Sequence, residues 1–370
     1  MSNNKLSNQS QLVLRNEDRF SQGHWAFINP TEAGVFNAID NAQLIGLHQM
    51  HHHYSDCERF ASQAQYFGAA FGDFNALQPQ SANEHNTNAS EIAKNSLDGV
   101  LIYMPKSKQQ LTMLIDNASY LVKKDGIVLV VGENNGGIKS VPKLLETIGT
   151  QVNKLDNAKH CGLYAVTVSE PLENFNIHQY SSTQTYTINE QEIKVYSLAG
   201  VFGHKQLDPG TALLLEQLTP AALAKTKGHV YDFACGTGII GCYLAKAITK
   251  NKRITMSDVS ALATFCSEQT AALNEVEVKV IACDGLAQQD TKYDAIVSNP
   301  PFHAGIKNDY TITETFIKQA FSHSHQYASI TLVANRFLPY QDVLDAVYKG
   351  FTEIAATSQY RVYVAKKFAR

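Results

Sequence analysis

From residue 230 to residue 334, short apolar runs alternate with stretches of helical spacing, and this alternation limits the possible folds more than any other feature of the chain. VYDFA (230–234), RITMSD (253–258), VEVKVIA (276–282), YDAIVS (293–298) and SITLVA (329–334) read as strands. Residues 239–248, 261–274 and 311–325 read as helices. Strands joined through helices run parallel, because a crossover that holds a helix brings the chain back in the same direction. A mainly parallel sheet with helices on both faces is therefore expected. The tail strands at 352–357 and 360–366 are placed as an antiparallel hairpin at its edge.

The first half carries a weaker copy of this pattern. GVLIYMPK (99–106) matches DAIVSNPP (294–301), with Asp98 seven residues before Pro105 and Asp294 seven before Pro301. Each is followed by a helix and an apolar strand (126–131; 329–334), and each half ends on an aromatic strand (162–168; 360–366). The repetition predicts two tandem α/β domains from one duplication, and 370 residues suffice for two cores. The second polar stretch, 171–190, places the boundary, giving domains 1–187 and 188–370. The first is expected to be the degenerate copy. Another polar stretch, 82–97, reads as a loop or a short helix start. The first domain holds 13 basic and 17 acidic residues and the second 18 and 17, or −4 against +1. That balance argues against a protein coated in positive charge, but leaves room for a local basic face. Six cysteines without a CxxC pair, a polar Met1–Gln11, and no apolar run near membrane length point to a cytoplasmic chain without a membrane partner.

DFACGTGIIG (232–241) follows a strand and opens a helix, the context that gives a glycine motif meaning. Gly236 and Gly238 allow a sharp turn and close approach of a ligand, and the helix behind them offers free N–H groups. Asp258 ends the next strand, placed to accept from both hydroxyls of a ribose. A nicotinamide oxidoreductase fits these features too. Two others favour S-adenosylmethionine (SAM). Asp232 stands inside the strand before the loop, where a carboxylate suits the ammonium of a methionine moiety. Asp284, in Cys283-Asp284-Gly285, ends the third strand, where it is placed to accept from an adenine amine; a plain Asp-Gly turn is the alternative.

SNPPF (298–302) ends the fourth strand, at the edge where open parallel sheets hold ligands. An exocyclic amine on a purine is a poor nucleophile because its lone pair is delocalised into the ring. Two acceptors drawing on its two hydrogens restore that lone pair. The Asn299 side-chain oxygen and the Pro300 carbonyl suit this role, held in place by two fixed proline φ angles. Phe302 offers a flat face for a base, and His303 beside it reads as a second stacking or structural residue. Lys205, in GVFGHKQLDPGT (200–211), is a candidate for the methionine end or for RNA phosphate; that segment is otherwise a connection with Asp208 as helix cap.

Taken together, these residues resemble class I SAM-dependent methyltransferases with an Asn-Pro-Pro-aromatic loop. Within that class the chain resembles the bacterial 16S rRNA guanine-N2 methyltransferase family, RsmC. The resemblance rests on SNPPFHAG (298–305), VANRFLPYQDVLD (333–345), SLAGVFGHKQLDPGT (197–211) and, more loosely, CDGLA (283–287). In the first half it rests on VVGENNGGIKS (130–140) and NAKHCGLYAV (157–166). It covers nearly the whole chain, and departs at Cys235-Gly236-Thr237-Gly238, where other small residues are common. The resemblance implies two Rossmann-like methyltransferase domains, the first degenerate and serving recognition. It also implies SAM as cofactor and 16S rRNA in the assembled small subunit as partner; a monomer is expected. A 23S rRNA, DNA adenine or protein glutamine methyltransferase stays open, as does a non-catalytic assembly factor. Tyr103-Met104-Pro105-Lys106 is read opposite Ser298-Asn299-Pro300-Pro301, so the first copy lacks the acceptor and is expected to bind no SAM. The cluster His48, His51, His52, His53 and Cys57 matches no zinc spacing, and no metal is expected.

Overall fold

The computed structural model describes residues 6–72, 92–226, 228–248, 252–286, 290–301 and 306–368. They form two compact units that divide between Ser181 and Ser182. The first contains β1 (Trp25–Ile28), β2 (Leu44–His48), β3 (Gln65–Phe67), β4 (Leu97–Tyr103), β5 (Val122–Glu133), β6 (Val152–Ala158) and β7 (Cys161–Val168). Among its helices are α1 (Asn8–Leu14), α2 (Gly34–Ala38), α3 (His51–Phe60), α4 (Lys108–Leu121) and α5 (Val141–Leu145). The second opens with β8 (Ser181–Ile188) and β9 (Gln191–Leu198), which form a two-stranded sheet. The Ser197 hydroxyl donates to the Ser182 carbonyl across this hairpin at 3.2 Å. The hairpin thus holds 182–188 in the second unit, and the division falls six residues before the boundary expected at 187/188.

After the hairpin come α6 (Pro209–Gln217), α7 (Pro220–Leu223), β10 (Gly228–Phe233), α8 (Ile239–Ala247), β11 (Lys252–Asp258), α9 (Ala261–Leu273) and β12 (Lys279–Ala282). Then follow β13 (Tyr293–Ser298), α10 (Ile306–Ser322), β14 (Ser324–Asn335), α11 (Tyr340–Tyr348), β15 (Thr352–Ala356) and β16 (Tyr360–Lys366). The main sheet runs β12-β11-β10-β13-β14-β16-β15, parallel except that β16 is antiparallel to both neighbours. The expected tail hairpin is β15–β16, with β15 at the edge. Alternation along the strands feeds two cores. Val230, Ala295, Val333 and Val362 join Leu214, Ile240 and Tyr243 on one face. Their neighbours Tyr231, Ile296, Leu332 and Tyr363 join Phe316, Ile317 and Leu344 on the other. The helix expected to reach residue 325 stops at Ser322, because β14 starts early: Ser324 already pairs with Tyr293, ahead of a bulge.

The first unit repeats this sheet strand for strand, in the order β3-β2-β1-β4-β5-β7-β6. The likeness extends to irregularities. The bulge at Leu97/Gly99 answers that at Tyr293/Ala295, and the one at Lys154/Asp156 answers Glu353/Ala355. Asp125 and Tyr327, at matching places in β5 and β14, both take left-handed φ, 62° and 68°. Asp98 accepts from the His24 backbone N–H at 2.7 Å, and Asp294 from that of His229 at 2.8 Å. Such shared detail is what a duplication leaves behind.

Candidate functional site

The carboxyl ends of β10, β11, β12 and β13 meet at one edge of the second sheet. Ala234 leaves β10 at φ 56°, an uncommon conformation for a residue with a side chain, and Gly236 and Gly238 follow at 56° and 79°. Gly238 is the N-cap of α8 and brings no side-chain cap; the Gly241 N–H of the first turn is taken by Asp232, which leaves those of Ile239 and Ile240 uncapped by a side chain. A Cβ on Gly238 would lie 2.8 Å from Cα of Ser267, whereas one on Gly236 would meet nothing nearer than 3.6 Å. A Cβ on Gly236 would thus fit in ordinary contact with the Phe202 carbonyl oxygen, on the wall of the cavity described below.

Asp232 is fully buried; its Oδ2 accepts from the Gly241 N–H at 2.9 Å, and its Oδ1 has no donor. Burial pushes its carboxyl up to about 8, against a smaller opposing effect of the Gly241 N–H. Asp232 is not among the residues lining the cavity, but its unmatched oxygen, once ionised, suits a cationic group such as an ammonium. Asp258 ends β11 as expected, but both its oxygens are engaged: Oδ2 accepts from Gly236 N and Oδ1 from Ser260 N, each at 3.0 Å. Asp258 thus braces the glycine loop, with only its remaining lone pairs left for a ligand. Asp284 is exposed at the turn after β12. Cys235 lies in the loop with its Sγ 3.2 Å from the Ser267 hydroxyl, and burial holds its thiol protonated, which removes it as a nucleophile.

Asn299 and Pro300 follow β13 and are buried. The Ser298 hydroxyl donates to the Phe233 carbonyl at 2.8 Å and ties this end of β13 to β10. The Asn299 Nδ2 donates to Asp208 Oδ2 at 3.0 Å and to Thr211 Oγ1 at 2.7 Å, while its Oδ1 is buried without a donor. Phe302 and His303 lie outside the described residues. Lys205 is exposed, in left-handed backbone at φ 63°, and is not among the residues lining the cavity. That cavity runs between the loop before α6 and the glycine loop, bounded by Phe202, Leu207, Asp208, Thr211, Gly236 and Asn299. Asp208 does cap α6, accepting from Thr211 N at 2.8 Å, but its contact with Asn299 was not anticipated from sequence. The two stand 91 residues apart, and no local pattern in the sequence joins them.

At the matching positions of the first unit the chemistry is gone. The paired registers set Phe27 at the place of Asp232, His48 at that of Asp258 and Tyr103 at that of Asn299. This corrects by one residue the expected alignment, which set Tyr103 opposite Ser298; Ile102 stands there. His48 is buried, pushed down to about 4 and so neutral, and 2.7 Å from Gln65 Oε1. The Tyr103 hydroxyl meets Ser10 at 3.2 Å. Among the described residues no three His, Cys, Asp or Glu side chains converge as a metal site. No described helix is long and apolar enough to cross a membrane.

Comparison with known proteins places this architecture. The family model Methyltransferase small domain matches residues 192–364, and Methyltransferase small domain N-terminal matches residues 10–184. The chain is 39% identical over 362 residues to the Ribosomal RNA small subunit methyltransferase C of Pseudoalteromonas atlantica, covering 98% of this chain and 100% of the relative. The chain belongs to the ribosomal RNA small subunit methyltransferase C family. A second member, from Alteromonas mediterranea, is 38% identical over 97% of this chain and 99% of its own length. Among solved structures, the T. thermophilus 16S rRNA N2 G1207 methyltransferase (RsmC), bound to AdoMet and guanosine, matches with a TM-score of 0.77 at 17% identity. The match covers 97% of this chain and 91% of that one, so the two-unit fold is that of the methyltransferase C family.

Proposed function

We propose that this chain methylates the N2 amine of a guanine in 16S rRNA, as a cytoplasmic monomer acting on the small ribosomal subunit. The observation that carries the reading is Asn299: it lines the cavity beside the glycine loop, and its Oδ1 is buried without a donor. The family relatives are named for small-subunit rRNA, which supports the substrate class. SAM, when bound, supplies an electrophilic methyl group on its sulfonium. Asp232 Oδ1 and the Ile239 and Ile240 N–H groups at the start of α8 hold its methionine end, Asp258 and Asp284 its adenosine. Asn299 Oδ1 and the Pro300 carbonyl accept the two hydrogens of the guanine amine and turn its lone pair toward the methyl. Phe302 and His303 give the base a face to stack on, and Lys205 meets RNA phosphate. The amine loses its proton after transfer, once methylation has made it acidic, so no strong base is needed. The first unit, with Phe27, His48 and Tyr103 in place of the site residues, binds no SAM and serves recognition or packing.

The test is transfer of tritium from labelled SAM to isolated subunits. Label should enter 16S rRNA of the small subunit as N2-methylguanine; label in 23S rRNA, DNA or protein would overturn the assignment. Asn299→Ala should fold, bind SAM nearly as before, and lose about 100-fold or more in rate, the scale expected for one preorganised polar group. Activity within a few-fold of wild type would remove Asn299 from the mechanism.

A further inference from the structure

We propose that Asp208 and Thr211, at the start of α6, are positioning residues that hold the Asn299 amide so that its oxygen, and not its nitrogen, faces the reacting amine. This rests on the reading of Asn299 as the acceptor. An asparagine amide has almost the same shape when its oxygen and nitrogen are exchanged, yet only one orientation accepts a hydrogen. Turned over, Asn299 would present donors to a donor. The choice between the two is made by its partners, Asp208 and Thr211, which border the same cavity as Asn299.

Those partners leave one solution. Asp208 Oδ2 lies 3.0 Å from the Asn299 nitrogen and, as a carboxylate, offers no proton to an amide oxygen. Thr211 Oγ1 lies 2.7 Å from the same nitrogen, and its own hydrogen is directed to Asp208 Oδ2, 3.3 Å away. Both amide hydrogens of Asn299 are thus used, and a reversed amide would set oxygen against a carboxylate. The pair is itself rigid. Asp208 caps α6 through Thr211 N at 2.8 Å, with Pro209 in the first turn. Gly210 sits so close to the Tyr360 ring that a Cβ there would lie 2.9 Å from it. The Asn299 Oδ1 that results is buried and has no donor, which is the state an acceptor awaiting a substrate must have. The segment 208–211, legible from sequence only as a helix start, gains a chemical task.

The experiment uses the full chain with small subunits and SAM, measuring kcat, KM and SAM affinity. Asp208→Asn keeps a good helix cap, but supplies an amide donor with which a reversed Asn299 can pair. Thr211→Val keeps the shape and removes the hydroxyl; Thr211→Ser restores it. Both Asp208→Asn and Thr211→Val should lower kcat by about tenfold or more, with KM and SAM affinity within about threefold, and Thr211→Ser should recover most of the rate. If both variants keep kcat while Asn299→Ala loses it, the positioning role is wrong and the acceptor reading stands. If kcat falls with Thr211→Val and Thr211→Ser fails to restore it, the loss comes from packing, and the proposal is overturned. If Asn299→Ala itself retains activity, the acceptor reading fails and the positioning role goes with it. Should Thr211→Val not fold, Asp208→Asn decides alone.

Discussion

A carboxyl group as enclosed as Asp232 ties ligand binding to pH. Burial raises it from about 3.8 to about 8, so between those values the folded, ligand-free chain keeps a proton that the unfolded chain has lost. Its contribution therefore weakens the fold as pH rises through that window, by about 1.4 kcal/mol per pH unit at the steepest. Asp232→Asn has no proton to hold and should flatten this part of the melting-temperature profile. An ammonium beside Asp232 favours the ionised form, so SAM affinity should rise toward pH 8, with a proton released on binding. Calorimetry in two buffers of different ionisation heat measures that proton; equal release by wild type and Asp232→Asn would disprove the contact. Asp232, Gly236, Gly238 and Asn299 were readable in the sequence because their chemistry is announced by immediate neighbours: a strand, a glycine turn, two prolines. Asp208 and Thr211 were not, since their partner is brought to them only by the fold. Asp258 was readable in place, but its added part as a brace of the glycine loop was not, because its backbone donors belong to a loop whose path the sequence does not specify.

At the scale of elements, the turn between β10 and α8 separates two kinds of glycine. Gly238 combines φ 79° with a blocked Cβ position, and Gly236 has φ 56° with room for a Cβ in ordinary contact. Gly238→Ala should therefore cost stability, about 2 kcal/mol or more from left-handed backbone and the clash with Ser267 together. Gly236→Ala should cost only about 1–2 kcal/mol of stability, but it places a methyl group in the cavity and should weaken SAM binding more than Gly238→Ala weakens it per unit of stability lost. Urea melts and calorimetry on the two variants check this; indistinguishable profiles would show that the loop does not line the cofactor site. The strands themselves were legible where they alternate with helices. The early residues of β5 and β14 were not: Lys123–Asp125 and His325–Tyr327 are exposed and polar or bulky, and they join the sheet only by way of a bulge.

For the whole molecule, two sheets of one topology and a single set of site residues imply one cofactor per chain. Titration of the intact protein should give a SAM stoichiometry of about one, and the Asp232→Asn variant should show no second, unaffected site; a stoichiometry of about two would end the degenerate-copy reading. The duplication was visible in sequence through Asp98, Pro105 and their counterparts, but its depth was not, because matched bulges and registers leave no local residue signal. Having two copies of one sheet plan in a single chain also poses a problem of assembly, since a strand of one half meets a ready-made template in the other while both are forming. The contact between β1 and β4 is shaped so that such an exchange would cost packing. Trp25 is seated opposite Gly99, where even a Cβ would lie 2.1 Å from the indole, whereas Val230 is seated opposite Ala295. Were β1 to enter the second sheet, the Ala295 methyl would occupy the space its ring needs. Were β10 to enter the first, Val230 would leave an indole-sized void above Gly99. One tryptophan and one glycine thus fit each other as a key fits its lock, a fit the second sheet does not reproduce.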